Sequence, residues 1–125
     1  SVTSMFNPLF NALVRSEEAK DIARLLGLGV IRKNISERGD REKHRIQIYT
    51  PEGLLDDEQL QVSVTTTGNN QPLLDAVFNN VPHQPIQLPD FPELQEHDLS
   101  ITLQCNINGE TVVIQNDIDR IPLLD

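Results

Sequence analysis

Asp98-Leu99-Ser100-Ile101-Thr102-Leu103-Gln104-Cys105-Asn106-Ile107-Asn108-Gly109-Glu110-Thr111-Val112-Val113-Ile114-Gln115 reads as a β-hairpin. Leu99, Ile101, Leu103, Cys105 and Ile107 alternate with serine, threonine, glutamine and asparagine, the period of a strand with one buried face. Asn108-Gly109 is the favoured pair for a two-residue turn, because both positions need positive φ. A turn there sets Cys105 opposite Val112 and Leu103 opposite Ile114, so both strands show their apolar side chains on one face. Cys105 is therefore expected to be buried and unreactive.

Working outward, His44 to Thr50 also alternates, with Ile46 and Ile48 on one face, and Pro51-Glu52-Gly53 stops it. Leu60, Val62 and Val64 against Gln61, Ser63 and Thr65 predict another half-buried strand, closed by Gly68-Asn69-Asn70. Asn70 can cap a short middle helix through Pro72, Leu73, Leu74, Val77 and Phe78. Pro82, Pro85, Pro89 and Pro92 predict an extended crossover without regular structure over residues 82–92. At the amino end Asn7-Pro8 opens a helix, and Ser16 offers a second cap ahead of the stripe Ala19, Ile22, Ala23 and Leu26, which Gly27 ends. Two short helices or one bent helix are expected there, followed by a short apolar stretch at Val30-Ile31 and a charged loop from Glu37 to Arg45. The fold class is α+β: a mainly antiparallel sheet including the C-terminal hairpin, one or two N-terminal helices and the short middle helix. Residues 1–125 form one domain with an acidic tail over 116–125, and residues 1–4 read either as a remnant ahead of a native start at Met5 or as part of a domain cut from a longer chain.

Charge is divided along the chain. Residues 1–50 hold nine lysines and arginines against six carboxylates, whereas residues 51–125 hold Arg120 alone against thirteen. From Ile46 to Asp119 there is no cationic side chain besides histidine, and the whole chain stands at −9. Such a field repels nucleic acid and draws basic partners, so it speaks about association and not about fold. Cys105, the only cysteine, rules out an internal disulfide and favours a reducing, cytoplasmic setting. No apolar run approaches the roughly 20 residues that span a bilayer, and the first residues lack the pattern of a signal peptide.

Catalytic and cofactor signatures are missing. His44, His83 and His97 have no partner at metal-ligand spacing, so neither a metal nor a cofactor is expected. The acidic groups Asp56-Asp57-Glu58, Glu93-Glu96-Asp98 and Asp117-Asp119 fall in turns and at strand ends, where water keeps them ionised, and not in the apolar pocket a general acid needs. There is no nucleophile elbow, phosphate loop or dinucleotide fingerprint. The chain is accordingly read as no enzyme.

Ala23-Arg24-Leu25-Leu26-Gly27 resembles the Ala-x-x-x-Gly core of a helix-turn-helix, which implies a recognition helix over Val30 to Arg38 with Arg32, Lys33 and Arg38 as the DNA-binding residues. Element order and acidity are together similar to those of type III secretion chaperones. That resemblance covers most of the chain, rests on no motif, and implies a dimeric protein that holds a segment of another. Acidic immunity or inhibitor proteins offer a second analogy. The function expected first is thus a non-enzymatic protein-interaction module, an adaptor, chaperone or inhibitor. It would bind a basic protein partner, as a monomer or a homodimer, through Asp56, Asp57, Glu58, Glu93 and Glu96. The alternatives are the helix-turn-helix DNA binder, which the net charge opposes, and a structural subunit of a larger assembly.

Overall fold

A computed structural model describes residues 8–39 and 41–122, with side chains from Glu17 onward. It consists of one helix and seven strands in two antiparallel sheets. Helix α1 is Pro8–Leu26, followed by β1 (Gly29–Asn34), β2 (His44–Tyr49), β3 (Leu60–Thr66), β4 (Pro72–Phe78), β5 (Ile86–Gln87), a 3-10 turn at Pro92–Gln95, β6 (Leu99–Ile107) and β7 (Glu110–Ile118). The order is β1-β2-β5 in the smaller sheet and β4-β3-β6-β7 in the larger. Their inner faces share one apolar core, in which Ile46 and Ile48 of β2 join Leu60, Val62 and Val64 of β3 and Leu99, Ile101 and Leu103 of β6.

The hairpin β6–β7 forms in the register that its turn demands: Cys105 pairs with Val112 and Leu103 with Ile114. Asn108 and Gly109 adopt φ of 49° and 80°, the positive values of a type I′ turn. Burial alternates along both strands, so register and hydrophobic face agree. Strand β7 runs on to Ile118, and Ile121 beyond it is buried, so much of the segment read as an acidic tail belongs to the sheet and the core. Two isoleucines at spacings that meet the core outweigh the local acidity of Asp117 and Asp119.

Four expectations need correction. The middle helix is strand β4. Across the Thr66-to-Gln71 turn, Leu74, Ala76 and Phe78 pair with Val64, Val62 and Leu60, and a bulge follows Val64. The run Leu73, Leu74, Val77, Phe78 fits a helical spacing, but seven residues make a marginal helix whereas the neighbouring β3 pairs all but Leu73, which falls at the bulge. Pro72 is tolerated because it opens an edge strand.

The crossover is not wholly irregular. Ile86 and Gln87, two residues free of proline, pair with Ile48 and Gln47 as β5, and Pro92 opens the 3-10 turn. The peptide bond from Val81 to Pro82 is cis. At the amino end there is one helix of 19 residues, and position 16 lies within it and not at its start. Its end is a Schellman motif: Gly27, at φ 105°, donates to the Arg24 carbonyl and Leu28 to that of Ala23. Of the expected apolar stripe only Ala19 and Ala23 are buried, while Ile22 and Leu26 remain exposed. Finally, Val30 to Asn34 is strand and not recognition helix, because β-branched Val30 and Ile31 pair with Ile48 and Gln47 of β2. Residues 1–4, Asn7, and the last three residues of the tail lie outside the described residues.

Candidate functional site

The charge division along the chain becomes a division between layers. All four strands of the larger sheet fall within the stretch that lacks lysine and arginine, and their only charged side chains are Asp75, Glu110 and Asp117. Every described lysine and arginine except Arg120 belongs to α1, β1, β2 or the loop between those two strands. The outer face of the larger sheet is consequently free of cations and mostly polar, with Val77 and Val113 exposed on its edge strands. One row across it reads Val77, Gln61, Gln104, Val113 and the next Asp75, Ser63, Thr102, Gln115.

The expected partner-binding carboxylates stand at the two ends of this sheet and not together. Asp56, Asp57 and Glu58 adjoin the hairpin turn, while Glu93 and Glu96 flank the start of β6. The nine residues of β6 hold the groups apart by roughly 30 Å. Asp56 is not a free rim charge. Its Oδ1 accepts from the Asn108 amide and its Oδ2 from that of Gly109, each at 2.8 Å, and its own amide donates to the Asn106 carbonyl at 2.8 Å. The side chain clamps the β6–β7 turn onto the loop between β2 and β3. Asp57 accepts from the Gln59 amide at 3.2 Å and from Asn106 Nδ2 at 3.4 Å, and both it and Glu58 are exposed.

At the opposite end cations are near at hand. Lys43 lies 3.6 Å from Asp90, and Asp98 accepts from the Arg120 amide at 2.8 Å. Glu93 is half-buried and Glu96 exposed. A cleft of about 340 Å³ opens here between β2 and the proline-rich crossover, with Ile46, Phe91, Leu94 and Ile121 on its floor and Lys43 and His44 on its rim. A depression of about 610 Å³ adjoins it, lined by Arg41, Lys43 and Arg45 but also by Glu37 and Glu42. This cleft has no signature in the sequence, because it draws its lining from three segments that only folding brings together.

His44 cannot act from this rim as a free base. Arg32 Nε donates to its Nδ1 at 2.6 Å, which leaves the proton on Nε2 facing Glu42 Oε1 at 3.0 Å. That contact also places Arg32 on the inner face of β1. Lys33, its neighbour in an extended strand, points the other way, and Arg38 lies in the following loop. The three residues expected to read DNA therefore do not share a surface.

Cys105 is buried on the inner face of β6, and desolvation, with Asp57 and Asp56 nearby, pushes its thiol up to about 11. Among the described residues no three histidine, cysteine, aspartate or glutamate side chains gather as a metal site would require. No described helix is long and apolar enough to cross a membrane. No family model, curated protein or solved structure matches the chain.

Proposed function

We propose that the chain is a non-enzymatic protein-interaction module that takes a basic partner at the hairpin-turn end of its larger sheet. The observation that carries this reading is the layering of charge. At this end Asp57, Glu58 and Glu110 stand on strands and loops without a lysine or arginine, beside the uncharged face of Gln61, Gln104 and Asn106. Carboxylates at a polar rim steer an oppositely charged protein and add specificity, while the amide and hydroxyl face supplies hydrogen bonds. Glu93 and Glu96, at the far end of the sheet, contribute little to this surface. The fixed histidine, the buried thiol and the solvated carboxylates suit a binding role better than a catalytic one.

A short lysine- and arginine-rich peptide followed by backbone amide NMR shifts tests the proposal. Shifts are expected to centre on Asp57, Glu58 and Asn106 to Thr111. Affinity should fall severalfold between low salt and about 0.15 M, where charges are screened beyond roughly 8 Å. The double reversal Asp57→Lys, Glu58→Lys should have a comparable effect, Asp56 being left in place to hold the turn. Shifts centred elsewhere, or binding indifferent to salt and to the reversal, would refute the assignment.

A further inference from the structure

Among the described residues, five of the seven exposed large apolar side chains lie on the helix and smaller sheet: Ile22, Leu25 and Leu26 of α1, Ile31 of β1 and Tyr49 of β2. Only Val77 and Val113, on the far sheet, lie elsewhere. Leu25 is 86% exposed. Ile22 and Leu26 are one helical turn apart and share a face. Gly27 follows them, and a Cβ there would stand 3.3 Å from the Tyr49 ring, so that ring lies against the end of the helix. Gly29 pairs with Tyr49 and Ile31 with Gln47, which sets Ile31 diagonally beside Tyr49 on the outer face of the smaller sheet.

The same face carries the charge that names its partner. Continuing along the pair, Lys33 stands directly opposite Arg45, two like charges side by side with no carboxylate on the outward positions of β1, β2 or β5. Such a pair is unfavourable until an anion comes between it. Glu37 and Glu42 of the β1–β2 loop share a depression with Arg45, but Glu42 is already engaged by Asn34 and His44. A polyanion of phosphates would leave the apolar side chains without a partner.

We infer that this face docks an acidic, amphipathic segment of another protein. Its large apolar side chains cover Leu25, Leu26, Ile31 and Tyr49, and its carboxylates meet Lys33 and Arg45. The surface lies on the layer opposite the one proposed above for a basic partner, so either assignment can fail alone.

Fluorescence polarisation of a labelled peptide alternating leucine with glutamate tests this. It should bind the wild-type chain, whereas a peptide with lysine for glutamate and one with serine for leucine should not. The double reversal Lys33→Glu, Arg45→Glu should weaken binding by about tenfold, the sum expected of two partly exposed charge contacts. Leu25→Gln, a change at an exposed position, should weaken it while leaving the thermal melt in place. No binding of the glutamate peptide up to about 1 mM, equal binding of the lysine peptide, or indifference to both variants overturns the inference. So does light scattering that shows a dimer dispersed by Leu25→Gln, which would make the patch a contact between copies of this chain.

Discussion

Replacing Asp56 with alanine removes both carboxylate oxygens that accept from the Asn108 and Gly109 amides. A hydrogen bond to a charged group is worth about 1.5–3 kcal/mol where burial prevents water from taking over, and a neutral one about 0.5–1.5. The turn amides are exposed and rehydrate once freed, which puts each bond near 1 kcal/mol and the pair near 2 kcal/mol. For a domain of this size, 1 kcal/mol moves the melting temperature by about 4 °C, so Asp56→Ala should lower it by roughly 8 °C. Asp57→Ala is the matched control. It deletes a carboxylate of equal charge whose contacts are longer, and should cost under about 1 kcal/mol. Urea titration with amide hydrogen exchange distinguishes the two, since only Asp56→Ala should also speed exchange at Asn108 and Gly109. Equal midpoints for both variants would show that the clamp contributes nothing beyond charge.

Gly109→Val should cost on the order of 1 kcal/mol or more, because a β-branched residue resists the φ of 80° held there; open space surrounds that position, so the loss is conformational, and an unchanged melt would contradict the turn geometry. Cys105, with its thiol pushed up to about 11, should react with a thiol reagent at pH 8 about a hundredfold more slowly than a free cysteine, and faster in denaturant. Because the folded thiol holds its proton where the unfolded one, near 9, loses it, its contribution to stability is intact below pH 9 and is lost as pH rises toward 11. The difference in stability between wild type and Cys105→Ala should therefore change by up to about 3 kcal/mol across that window, and a constant difference would show that the thiol does not titrate as stated.

Alternation and turn chemistry made the hairpin legible in residue order alone. Asn108-Gly109 admits one local geometry, and only one register buries Leu103 with Ile114 and Cys105 with Val112. The strands at His44–Tyr49 and Leu60–Thr66 follow from the same period-2 pattern. The charge division is a property of composition and needs no fold to be seen. Leu73, Leu74, Val77 and Phe78, by contrast, suit a helix or a strand, and the neighbouring β3, with its unpaired edge, decided for strand. The stripe Ala19, Ile22, Ala23 and Leu26 announces a helix, but the sequence does not say that only its two alanines reach the core. Site geometry was the least legible. Asp56, Asp57 and Glu58 are three consecutive acids in sequence, yet the turn amides that Asp56 holds lie about fifty residues further on, so the clamp cannot be told from its two neighbours locally. The cleft of Ile46, Phe91, Leu94 and Ile121 and the corner of Leu26, Ile31 and Tyr49 depend in the same way on contacts between distant segments. Local chemistry determines which strands and turns can form; only the packing of two sheets and a helix decides which side chains are left to meet a partner.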